Sequence, residues 1–173
     1  MPRIITHSDS ETKKFGKKFA STLRGGDIVC LSGELGAGKT TLVKGIAEGL
    51  GVKEEITSPT FTLMNVYEVE TTDYRLQTTA QTVDQSAVVR SPLTVVKKLI
   101  HIDMYRLKNA EELIQIGVED YLGAPDTITV VEWPEKMEKI LRGKKLIKVT
   151  MEHWKNSERK IRIEKSKSIK HNL

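Results

Sequence analysis

The sequence is poor in the features that mark exported, membrane-spanning or disulfide-built proteins. It has one cysteine, Cys30, in 173 residues, so no intrachain disulfide can form. Cys30 stands in an apolar run, where it reads as a small buried hydrophobe without a redox role. No apolar stretch approaches the ~20 residues of a membrane span, and the N-terminus has no charged-then-apolar leader. A cytoplasmic protein with no membrane contact is therefore expected. Aromatic residues make up only 5% of the chain, and none stands among the last ten positions. The length suits a single α/β domain over residues 1–173, long enough to bury roughly two thirds of its unfolded surface.

Charge is present in excess and unevenly placed. The formal net charge is +5, and from Gly143 onward ten Lys or Arg face three Glu. The tail from about 165 to 173 carries Lys165, Lys167 and Lys170 without interleaved aromatics. It reads either as a solvated end or as a contact for nucleic acid or an acidic protein surface.

The strongest local signal is Gly33-Glu34-Leu35-Gly36-Ala37-Gly38-Lys39-Thr40. It fits G-x-x-x-x-G-K-[ST], the loop whose backbone N–H groups converge on phosphate oxygens. Glycines permit the tight curl and keep Cβ atoms out of the ligand's way. Lys39 would reach the β- and γ-phosphates, and the Thr40 hydroxyl suits Mg²⁺. The helix that follows adds its N-terminal partial charge. Ile28-Val29-Cys30-Leu31 reads as a buried strand entering the loop. Leu42, Val43, Ile46, Ala47 and Leu50 then recur at helical spacing until Gly51. A nucleoside triphosphate site is expected.

Ser8 and Glu11 have capping-box spacing and open a helix with Phe15, Phe19, Ala20 and Leu23 inside, closed by Gly25-Gly26. After the P-loop helix, Pro59 forbids helix and the Thr60-Phe61-Thr62-Leu63 alternation favours strand. Thr60 suits a γ-phosphate-sensing switch and equally an ordinary strand threonine. From about 69 to 96 the chain has no sustained period, which reads as an extended hairpin or polar loop excursion, with a catalytic lid as the sharper alternative.

Leu99 to Tyr105 alternates, with Ile100, Ile102 and Met104 on one face and His101, Asp103 and Tyr105 on the other. Asp103, at the end of an apolar strand downstream of a P-loop, suits a Walker B aspartate. Asn109 and Glu112 then cap a helix with Leu113, Ile116, Val118 and Leu122 inward, ended by Gly123 and Pro125. Ile128 to Val131 is a third core strand that delivers Glu132 to its carboxyl end, where parallel sheets bind ligands. Glu132 can hold Mg²⁺ or polarise the attacking water. Pro134 opens a short helix, and Trp133 is expected to pack beneath it, with closure over the nucleotide as the alternative. Leu146 to Met151 and Arg159 to Glu164 alternate as a terminal hairpin.

Four blocks stand in order: the P-loop, Ser58-Pro59-Thr60-Phe61-Thr62-Leu63, His101-Ile102-Asp103-Met104-Tyr105-Arg106-Leu107, and Glu132-Trp133-Pro134-Glu135. Together they resemble the TsaE (YjeE) family, the ATPase component of bacterial tRNA threonylcarbamoyladenosine biosynthesis, over roughly residues 8 to 163. The resemblance implies a P-loop NTPase-like three-layer α/β fold with a mainly parallel central sheet and a C-terminal β-hairpin. It implies binding of ATP or ADP with Mg²⁺, weak ATPase activity alone, and action with TsaB and TsaD on the adenosine beside the anticodon. By motif, Glu34, Leu35, Gly36, Ala37, Gly38, Lys39, Thr40 and Thr41 contact phosphates. Thr40 and Glu132 hold the metal, Asp103 takes the Walker-B-like place and Thr60 the switch. Arg159 matches the family's nucleotide-side arginine, although Asn156-Ser157-Glu158 stands where a glycine usually precedes it. The catalytic set is then Lys39, Asp103 and Glu132. A small-molecule kinase and a nucleotide-gated binding module share the P-loop and remain the competing classes.

Overall fold

A computed structural model describes residues 3–59, 63–70, 95–107, 111–155 and 158–165. Thr60, Asn109, the span 71–94 of the long excursion, and Lys167 and Lys170 of the tail lie outside them.

Among the described residues seven strands form one sheet: β1 (Arg3–Thr6), β2 (Ile28–Ser32), β3 (Met64–Glu68), β4 (Lys98–Asp103), β5 (Thr127–Glu132), β6 (Leu146–His153) and β7 (Arg159–Lys165). Their spatial order is β1-β7-β6-β2-β5-β4-β3. The centre, β6-β2-β5-β4, is parallel throughout, and both flanks are antiparallel. The central strands are apolar on both faces because helices cover both. Val29, Leu31, Leu99, Ile128 and Val130 pack under α1 (Asp9–Ala20) and α2 (Lys39–Leu50). Ile28, Cys30, Ile100, Ile102 and Val131 pack under the second layer, which includes α3 (Glu111–Gln115) and α4 (Glu138–Leu141). Each fully buried Leu or Ile contributes about 1.5–3 kcal/mol relative to exposure.

Helix α1 begins as its capping spacing requires. Ser8 Oγ accepts from the Glu11 N–H at 3.1 Å, and Glu11 accepts from the His7 N–H at 2.8 Å. The Leu42, Val43, Ile46, Ala47 and Leu50 stripe of α2 is wholly buried, and Gly51, at φ 89°, closes the helix by donating to the Ala47 and Glu48 carbonyls. The two helices meet at almost backbone contact. A Cβ built on Gly45 would lie 2.2 Å from the Lys13 carbonyl oxygen, and one on Gly16 would lie 2.6 Å from that of Leu42. Across the same seam Lys13 and Lys17 both pair with Glu48, each at 2.9 Å.

Burial raises the Cys30 thiol to about 12, consistent with an inert strand residue. Other expectations shift in place. Strand β3 runs from Met64, after Leu63 turns through a positive φ of 64°; Thr60, Phe61 and Thr62 of the alternation expected before it lie outside the described residues. The helix expected to run to Gly123 stops at Gln115. Gly117, at φ 77°, breaks it, and a 3₁₀ turn over Val118–Asp120 follows. Leu113, Val118 and Leu122 are buried as expected, but the break leaves Ile116 exposed. The edge strand β1, unmarked by any periodic signal, is held by β7. The described ends of the excursion meet, with the Val69 N–H donating to the Lys97 carbonyl at 2.8 Å.

The contact at Gly45 yields a test. Gly45→Ala should gain about 1 kcal/mol of helix propensity yet lose about 1–3 kcal/mol to overpacking, lowering the thermal midpoint by several degrees. A midpoint at or above the wild-type value would show that the helices part freely.

Candidate functional site

The site forms where α2 starts, above the carboxyl ends of β2, β4 and β5. The first position of α2 is Lys39, preceded by Gly38 at φ 93°, a left-handed conformation that suits glycine. No side chain caps this end, so the first N–H groups of α2 face outward with the helix's partial positive charge. Glu34, Leu35 and Gly36 form the exposed arc of the loop, Ala37 and Lys39 are buried, and Gly38, Thr40 and Thr41 are half-buried.

Lys39 folds back into its own loop. Its ammonium donates to the carbonyls of Gly33 at 2.8 Å and Glu34 at 2.9 Å, and it lies 3.9 Å from the Trp133 ring centroid, a cation–π contact. Burial pushes its pKa below the usual lysine value, partly offset by the carboxylates of Glu132, Asp103 and Glu135. Trp133 is partly buried against the second core, as expected, but it stands at φ 58°. Its ring is 5.2 Å from that of Tyr105 and underlies Lys39. Packing and a place at the site coincide in one residue.

Parallel pairing sets Asp103 directly opposite Glu132. Glu132 is only 2% exposed. Its Oε1 and Oε2 accept from the Thr40 hydroxyl at 3.0 and 3.2 Å, and Oε1 also lies 2.9 Å from His101 Nε2. Asp103 is held separately. Its Oδ2 accepts from the Ser58 hydroxyl at 2.7 Å and its Oδ1 from the Tyr105 N–H at 2.9 Å. On the other face of the sheet, beside Cys30, Ser32 donates to Glu135 at 2.7 Å.

Arg159, in β7, reaches the other flank of the loop. A Cβ on Gly38 would lie 2.9 Å from its Nε, while its guanidinium pairs with Asp9 at the start of α1. The expected P-loop residues, Asp103, Glu132 and Arg159 are thus brought to one end of the sheet, and Thr60 falls outside the described residues. Sequence reasoning gave no role to His101, Ser58 or Ser32. His101 carried a usable signal, since it shares the face of Asp103 two residues away.

Among the described residues no group of three or more His, Cys, Asp or Glu side chains is arranged to hold a metal by itself. The meeting of a threonine hydroxyl with a carboxylate offers two hard oxygen donors. That fits Mg²⁺, which binds through one or two protein groups and completes its octahedron with phosphate and water.

A sequence profile described as "Threonylcarbamoyl adenosine biosynthesis protein TsaE" matches residues 6–161. The chain belongs to the TsaE family. Among curated members it is 35% identical over 135 residues to the tRNA threonylcarbamoyladenosine biosynthesis protein TsaE of Treponema pallidum, covering 78% of this chain and 80% of that one. To the TsaE of Rickettsia typhi it is 32% identical over 160 residues, 92% of each chain. The crystal structure of YdiB from Bacillus subtilis superimposes with a TM-score of 0.63 at 26% identity, covering 92% of this chain and 82% of that one. Membership gives this chain a role in tRNA threonylcarbamoyladenosine biosynthesis as a nucleotide-binding P-loop ATPase. Among its described residues no helix is long and apolar enough to cross a membrane.

The burial of Lys39 has a measurable consequence. Between its lowered pKa and the ordinary 10.5, the unfolded chain holds a proton that the folded chain has released, so this group's contribution to stability rises with pH there. At neutral pH the buried charge opposes folding. Lys39→Met should therefore retain or raise the thermal midpoint at pH 7. A fall of more than about 4 °C, on the order of 1 kcal/mol, would mean that the two carbonyl bonds outweigh the burial.

Proposed function

We propose that this chain hydrolyses ATP with Mg²⁺ as its metal, weakly alone, and that hydrolysis sustains repeated cycles of tRNA modification carried out with TsaB and TsaD. The observation that carries this reading is the direct Thr40–Glu132 hydrogen bond at the start of the P-loop helix. A hydroxyl and a carboxylate are the hard oxygen donors that suit a metal–phosphate site.

In this reading the backbone N–H groups from Glu34 to Thr41 cradle the phosphates. Lys39 exchanges the Gly33 and Glu34 carbonyls for β- and γ-phosphate oxygens, a short swing for an ammonium already inside the loop. Thr40 and Glu132 hold the metal. Bound there, Mg²⁺ would neutralise charge on the phosphates. Asp103, fixed by Ser58 and Tyr105, takes the Walker-B-like place, where it would orient the metal or its water. Thr60 is the switch threonine. Arg159 supplies positive charge from the β7 side once it leaves Asp9, a step that association with partners would favour. Residues 1–173 act as one domain, and tRNA is met through the complex in the cytoplasm.

The test measures threonylcarbamoyladenosine formed on tRNA over many turnovers by purified components including TsaB and TsaD. Lys39→Ala should lower sustained formation roughly 100-fold, and Asp103→Ala and Glu132→Ala about 10-fold or more. Wild-type rates in all three would remove the site assignment. Phosphate recovered on an acceptor molecule, in place of free phosphate, would establish the kinase reading instead.

A further inference from the structure

The imidazole of His101 is fully buried on the α2 side of β4, two residues before Asp103. Its two nitrogens have different fates. Nε2 lies 2.9 Å from Glu132 Oε1, while Nδ1 is buried with no hydrogen-bond partner. Leaving a buried polar atom unsatisfied costs about 1–3 kcal/mol, so His101 is a poor choice for packing alone. Leucine or isoleucine would fill a strand position flanked by Leu99 and Val130 without that cost. Whatever His101 contributes runs through the one bond it makes.

An ionised carboxylate only accepts hydrogen bonds, so it is Nε2 that donates to Glu132. Glu132 Oε1 then has two donors, His101 from the sheet and Thr40 from α2, whereas Oε2 has only the longer Thr40 contact at 3.2 Å. One oxygen is tethered and the other is the more weakly engaged. We infer that His101 is a positioning residue for Glu132: it fixes the carboxylate's rotamer so that the less engaged oxygen is presented at the mouth of the P-loop. This rests on Glu132 serving the metal, as proposed above, and adds what aims it. Outer partners of this kind orient a ligand without touching the metal, and their loss commonly weakens metal binding roughly 10- to 100-fold.

The test compares His101→Gln with His101→Asn in the full chain. A glutamine amide nitrogen reaches the place of Nε2, whereas that of asparagine stops near Nδ1, and both keep a buried amide. ADP affinity is measured by calorimetry with and without Mg²⁺. In His101→Asn the gain in affinity that Mg²⁺ confers should shrink roughly 10-fold. In His101→Gln it should stay within about threefold of wild type, and metal-free ADP affinity should be unchanged in both. An asparagine variant that keeps the full gain overturns the inference and leaves the metal reading intact. So does an equal loss in both variants, in affinity or in folding midpoint, because a merely structural role predicts it. A wild-type chain that binds ADP equally with and without Mg²⁺ overturns the metal reading and this inference with it.

Discussion

The constraint on which the site depends is the buried carboxylate of Glu132. A charge removed from water is tolerated only where hydrogen bonds replace its hydration, and here the donors come from two other elements, Thr40 at the head of α2 and His101 in the middle of β4. Satisfying one carboxylate therefore fixes the height of the P-loop helix over the sheet and the register of β4 beside β5. Because that register sets Asp103 opposite Glu132, the second acid arrives with the first.

The same height is set from the far side by the contact between α1 and α2. At Gly16 and Gly45 the backbones approach so closely that no side chain fits between them, and Glu48 joins Lys13 and Lys17 of α1 across the seam. A bulkier residue in that seam would lift α2 and separate Thr40 from Glu132. The distance from a helix-packing contact to the chemistry is a single rigid helix, which is why glycines far from the phosphate loop bear on it.

Much of this was legible in the residues. The central strands and α2 declare themselves through continuous apolar runs and a 3.6-residue stripe, and the P-loop through its spacing. The ends of elements were less so. Gly117 reads as an ordinary residue inside a helical pattern until its left-handed backbone breaks the helix, and Leu63 gives no warning of its positive φ. Strand β1 has no periodic signature because its pairing with β7 is a tertiary event. At the site, residue types pointed to Lys39, Thr40, Asp103 and Glu132, which the fold brings to one end of the sheet. His101 and Ser58 were hidden because their task is to hold another side chain, which appears only when strands are placed side by side. Trp133 shows the limit of an either-or reading, since one face of a residue can pack while the other meets a lysine.

Within the TsaE family the chain's task is set by what happens when a nucleotide enters this loop. Lys39 is bonded to its own carbonyls, Thr40 to Glu132, and Arg159 to Asp9. In the proposed reading, these are three groups whose protein partners a triphosphate with its metal would replace. The most direct measurement is a crystal structure of the chain with ADP and Mg²⁺. The account predicts that the Thr40–Glu132 hydrogen bond gives way to a metal shared by those two side chains, with His101 still on Glu132. A nucleotide bound with the Thr40–Glu132 bond intact and the metal elsewhere would contradict it.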